Sequence, residues 1–76
     1  MIWTTERVNG VTVWRADTAH DGEPVSLVVS PAGLAGWVAR AGRGRTLDIA
    51  LCGSSLTYEK TAEKAKARAS SWAEGV

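Results

Sequence analysis

The stretch Gly36–Ala50, GWVARAGRGRTLDIA, decides how this chain is read. Two apolar runs flank a glycine-rich centre. GWVARA (36–41) alternates with a period of two, and RTLDIALC (45–52) does so more cleanly. Leu47, Ile49 and Leu51 fall on one side of the second run, with Thr46, Asp48, Ala50 and Cys52 on the other. Gly42-Arg43-Gly44 between them supplies residues tolerant of positive φ, so the whole reads as a β-hairpin. The hairpin concentrates arginine: Arg40 on its first strand, Arg43 and Arg45 at its loop, and no acid before Asp48. Such a cluster is either a solvated turn whose charges keep a sheet edge from aggregating, or a contact for phosphate.

Working back toward the N-terminus, VSLVVS (25–30) is a second alternating run, entered through the turn cluster AHDGEP and stopped by Pro31. VTVWRA (11–16) is a third, and it follows Asn9-Gly10, a dipeptide favoured in tight turns. WTTERV, just before that turn, also has strand propensity. Residues 1–9 are therefore either an extra edge strand or a loose arm. In VTVWRA, either Trp14 or the pair Val11 and Val13 must face away from the core.

Beyond the hairpin, Gly53-Ser54-Ser55 breaks the strand pattern, and helical spacing takes over. A helix is expected over 57–74, with Thr57 as N-cap, Glu59 in the first turn and Gly75 at the stop. Tyr58, Ala62, Ala65, Ala69, Trp72 and Val76 form one stripe, mostly alanine, that lets the helix approach a sheet closely. Residues 1–76 thus read as one α+β domain, with antiparallel strands over 11–52. The sheet has three to four strands, or five if residues 1–9 pair, and one C-terminal helix packs on one face.

Composition narrows the function classes. The chain has 76 residues, a formal charge of +1, 45% hydrophobic and 22% charged residues, which is globular rather than disordered. Its single cysteine, Cys52, allows no internal disulfide. No run approaches the roughly 20 apolar residues of a membrane span. MIWTTERVNG lacks the basic and apolar regions of a signal peptide, so a cytoplasmic location is expected. A charge so near neutral lacks the basic excess of dedicated nucleic-acid binders.

No catalytic residue, metal ligand set or cofactor site is expected. His20, the sole histidine, sits in a polar turn with Asp17, Asp21 and Glu23, far short of the four Cys/His ligands of structural zinc. Cys52 has no activating neighbour in sequence, and AGRGR precedes a strand rather than the helix a phosphate loop needs. Apart from the hairpin arginines, the candidate contacts are Lys60, Lys64 and Arg68. Their spacing of four makes one basic row on the expected helix.

GWVARA, the small residues CGSS after the second strand, and the alanine-rich TYEKTAEKAKARA resemble the DNA-binding domain of plant ethylene-response factors. A related fold occurs in the arm-binding region of some phage integrases. There a three-stranded sheet lies in the major groove and strand Arg and Trp residues touch DNA. This chain departs from that pattern at VTVWRA, which offers only Arg15. Over the whole chain, VNGVTVWRA, GWVARAG and TAEKAKARASSWA resemble small proteins of actinobacteria and their phages. That likeness implies an accessory, host-interacting role. The leading expectation is a non-enzymatic interaction protein that binds a host protein or forms a homodimer, with no membrane partner. The alternative is a DNA-binding module using the Arg40–Arg45 hairpin and sheet face.

Overall fold

The computed structural model describes residues 2–43, 46–50 and 58–75, with positions 35, 43 and 46–50 defined by backbone alone. Within these residues five antiparallel strands follow one another as a meander: β1 (Thr4–Val8), β2 (Val11–His20), β3 (Glu23–Pro31), β4 (Trp37–Arg43) and β5 (Thr46–Ala50). One helix, α1 (Ala62–Glu74), completes the α+β domain. Residues 1–9 therefore contribute an edge strand, and the sheet reaches its expected upper size.

Two tight turns set the register of the first three strands. Asn9 and Gly10 have φ of 53° and 80°, and Asp21 and Gly22 repeat this at 52° and 79°. Positive φ at both central residues is what a two-residue hairpin needs to match strand twist, and Asn-Gly and Asp-Gly tolerate it best. Val8 then pairs with Val11, and His20 with Glu23. The β3–β4 connection is longer, with a single 3-10 turn at Gly33–Ala35, closed by the Ala32 N–H donating to the Gly36 carbonyl at 2.6 Å.

Gly36 is constrained both by its own backbone and by a neighbour. Its φ of 118° and ψ of −127° lie where only glycine is comfortable. The backbone of Glu59 lies directly against it, where a Cβ would stand. This closeness lets Trp37 and Glu59 form an antiparallel bridge. The Trp37 N–H donates to the Glu59 carbonyl at 2.7 Å, and the Glu59 N–H returns to Trp37 at 3.1 Å.

That bridge corrects the expected helix. Glu59 belongs to an extended segment, and α1 starts at Ala62 rather than near residue 57. Thr57 lies outside the described residues. The N-cap is Thr61, whose Oγ1 accepts the Lys64 N–H at 3.2 Å, with Glu63 in the first turn. The stop falls where expected: Gly75, left-handed at φ 78°, donates its N–H to the Trp72 carbonyl.

The helix packs on β2, β3 and β4. Ala65 and Ala69 are buried on Leu27, Val29, Ala39 and Ala41. Alanine faces alanine across much of this contact, so helix and sheet come close and little volume is left between them. Among the described residues Leu27 and Val29 are the largest fully enclosed side chains, and each such burial contributes about 1.5–3 kcal/mol. Trp3, Trp14, Trp37 and Trp72 ring this centre half-buried. The choice posed by VTVWRA is thereby resolved: Trp14 faces the helix, and Val11 and Val13 face away.

The hairpin of β4 and β5 differs from expectation in register. Ala41 stands opposite Ile49 but Gly42 opposite Leu47, so Asp48 falls at a bulge. Arg40 consequently stands opposite Ala50 and not Asp48.

Candidate interaction surface

The candidate contact residues do not gather into one patch. Arg40 is exposed on β4, on the sheet face away from the helix. Arg43 ends β4 opposite Thr46, and Arg45 lies outside the described residues. Lys60 is exposed but precedes the helix, so the row Lys60–Lys64–Arg68 is not a helical row: only Lys64 and Arg68 share a turn-to-turn relation on α1. Arg68 is also committed internally. Its Nε and Nη2 both reach Glu59 Oε1 at 2.8 Å, tying the helix to the bridging segment. A shallow depression of about 370 Å³ beside this pair is lined by Glu59, Lys64, Ala67, Arg68 and Ser71.

Two contacts on the helix side escaped the sequence reading. Lys66 Nζ sits 3.7 Å above the Trp14 ring centroid and 3.1 Å from Glu63 Oε1. A lysine placed over an indole face gains a cation–π attraction while its stem covers apolar surface. His20 stacks on Trp72, with centroids 3.9 Å apart and planes 17° from parallel, and its Nε2 lies 3.4 Å from Asp21 Oδ2. The polar turn around His20 thus serves helix packing. Asp17 accepts a hydrogen bond from Ser26 at 2.9 Å. Among the described residues no three His, Cys, Asp or Glu side chains gather as a metal site would require. In the sequence Lys66 stands two positions from both Lys64 and Arg68, off the basic row, and nothing local ties it to Trp14.

The helix-free face is ordered in rows by the register. Glu6 stands opposite Val13, and Ser30 opposite Val38. Thr4, Arg15, Val28, Arg40 and Ala50 form the next row. Arg15 Nε reaches back to Glu6 Oε2 at 3.1 Å. Both partners are about half exposed, so the pair contributes little stability in water. The valines at the centre, Val13, Val28 and Val38, are already buried to 9% exposure or less. This face is therefore not an open apolar patch.

Among the described residues, the exposed large apolar side chains are Leu34 in the β3–β4 connection, Tyr58 ahead of the helix, and three around β1. Ile2 is 81% exposed, Val8 45% and Val11 43%, and all five residues of β1 are exposed. β1 pairs only with β2 and forms one outer edge of the sheet. Natural sheets protect such edges with charges, proline or bulges. β1 has no proline and no bulge, and its two charges turn onto their own hairpin. Glu6 pairs with Arg15, and Arg7 Nη2 donates to the Gly10 carbonyl at 3.0 Å.

No family model matches this chain, and neither a curated protein nor a solved structure matches it. Among the described residues no helix is long and apolar enough to cross a membrane.

Proposed function

We propose that this protein is a non-enzymatic association module that binds another protein, a host protein or a second copy of itself, through the β1 edge of its sheet. The observation that carries the reading is β1 itself: an unblocked edge strand, exposed along its whole length, with Ile2, Val8 and Val11 standing out beside it. Backbone groups on such an edge recruit another strand, and neighbouring side chains give the pairing its specificity. The helix-side face is occupied by α1 over β2, β3 and β4, and Val13, Val28 and Val38 on the opposite face are buried.

The nucleic-acid reading has weaker support. Arg15, Lys66 and Arg68 are held by Glu6, Trp14 with Glu63, and Glu59. Of the exposed cations, Arg40 lies on the sheet face away from the helix, while Lys60 and Lys64 flank the helix start. Fluorescence anisotropy with duplex DNA should give weak binding at physiological salt. Tight binding with a steep salt slope, lost in the Arg43→Ala/Arg45→Ala variant, would restore the DNA reading.

The association reading is tested with the full chain and a Thr5→Pro variant. Wild type is expected to self-associate in light scattering or to retain a partner from host lysate, and Thr5→Pro to lose whichever is seen. The reading fails if wild type does neither, or if Thr5→Pro behaves identically.

A further inference from the structure

Resting on that reading, we propose that the occupant of the β1 edge is a second copy of the chain, paired antiparallel about a twofold axis that passes midway between the two copies of Thr5. Backbone alternation identifies the groups available. The two-residue turn closes on Val8–Val11 as a hydrogen-bonded pair, so Val8, Glu6 and Thr4 turn their N–H and C=O groups toward β2. Thr5 and Arg7 turn theirs outward, and Trp3 continues the same alternation.

A twofold axis perpendicular to a sheet pairs residues that lie on the same face, so each admissible register has one residue opposite itself. Centring on Glu6 or Arg7 sets like charges directly opposite, which is destabilising. Centring on Thr4 shortens the overlap and puts Ile2 against Glu6. Centring on Thr5 engages the whole run from Ile2 to Val8. Thr5 then meets Thr5 of the other copy, and each of the pairs Thr5–Thr5 and Trp3–Arg7 exchanges its outward backbone hydrogen bonds.

The side chains agree with this register on both faces. On the helix side, Arg7 of one copy lies opposite Trp3 of the other, and its guanidinium exchanges the Gly10 carbonyl for the indole face. On the other side, Thr4 lies opposite Glu6, and Ile2 opposite Val8, next to Val11. Ile2 and Val8, exposed at opposite ends of β1, are brought together only by an antiparallel second copy. The product is a continuous sheet through both copies, with helices on the same side. Two strands of this length make an interface at the small end of the specific range. A dissociation constant of about 10 µM to about 1 mM is expected.

Sedimentation equilibrium of the full chain across that range should show a monomer–dimer equilibrium. Thr5→Pro removes an N–H that points away from β2, so it should abolish the dimer and leave the far-UV circular dichroism unchanged. A second measurement fixes the register independently of that variant. With Cys52→Ser as background, Thr5→Cys should form a covalent dimer on mild oxidation, because directly paired Cα atoms are about 5.5 Å apart. Thr4→Cys in the same background should not, since its copies are offset by two residues and exceed the reach of about 7 Å. A chain monomeric at about 1 mM overturns the proposal. So does a dimer unchanged by Thr5→Pro, or equal crosslinking at positions 4 and 5. A monomer that still captures another protein in a Thr5→Pro-sensitive manner overturns self-pairing alone and leaves the association reading standing.

Discussion

Gly36→Ala is expected to be the most damaging single-methyl change in the described chain. Two costs add. The backbone at φ 118° and ψ −127° is strained for any residue with a Cβ, at about 1–3 kcal/mol. The new methyl also runs into the Glu59 carbonyl, so the Trp37–Glu59 bridge must part. Its two hydrogen bonds, at 2.7 and 3.1 Å, contribute about 0.5–1.5 kcal/mol each. The total is about 2–6 kcal/mol. A 76-residue domain has about 4–11 kcal/mol to lose, at about 0.05–0.15 kcal/mol per residue. Urea denaturation followed by circular dichroism reads the effect. With a slope of about 1 kcal/mol per molar, the midpoint should fall by about 2 M or more, or the cooperative transition should vanish. Gly33→Ala is the control: φ is 62° there, but nothing lies within 4 Å of the added methyl, so only about 1 kcal/mol is expected. Equal midpoints for the two variants would refute the close approach of Glu59 to Gly36.

Other perturbations probe separate parts of the fold. Thr61→Ala should cost about 1 kcal/mol in thermal unfolding, through loss of the cap to the Lys64 N–H. Ala69→Leu should cost about 1–3 kcal/mol, because Ala69 is fully buried between helix and sheet and a larger side chain must push them apart. Lys66→Ala should cost about 1 kcal/mol and shift tryptophan emission to the red as Trp14 loses its cover, whereas Lys64→Ala should do neither.

What was legible in the sequence was local. Asn9-Gly10 and Asp21-Gly22 announce hairpin turns because few other pairs accept positive φ twice in succession. Period-two alternation in 11–16, 25–30 and 36–41 follows from strands with one face on a helix. The alanine stripe at Ala65 and Ala69 likewise places the helix against small residues. What escaped depends on partners distant in sequence. TYEKTAEK has helical spacing throughout, and only the Trp37 backbone makes Glu59 extended and delays the helix to Ala62. The bulge at Asp48 is invisible to alternation, because one extra residue leaves the pattern of residue types intact. The basic row dissolved for the same reason. Lys60 falls before the cap, and Arg68 finds Glu59 only once the bridge has formed.

The meander also fixes an order of events during synthesis. All five strands precede the helix in the chain, and each pairs with its neighbour in sequence, so the sheet closes through short loops as it emerges. The helix is the last element in the chain. Until it docks, the surface around Leu27, Val29, Ala39 and Ala41 is uncovered. Two of those four residues are alanines, which expose far less sticky area than leucine or phenylalanine at the same positions. The same small side chains that let the helix seat closely at the end therefore limit what a half-made chain can adhere to on the way.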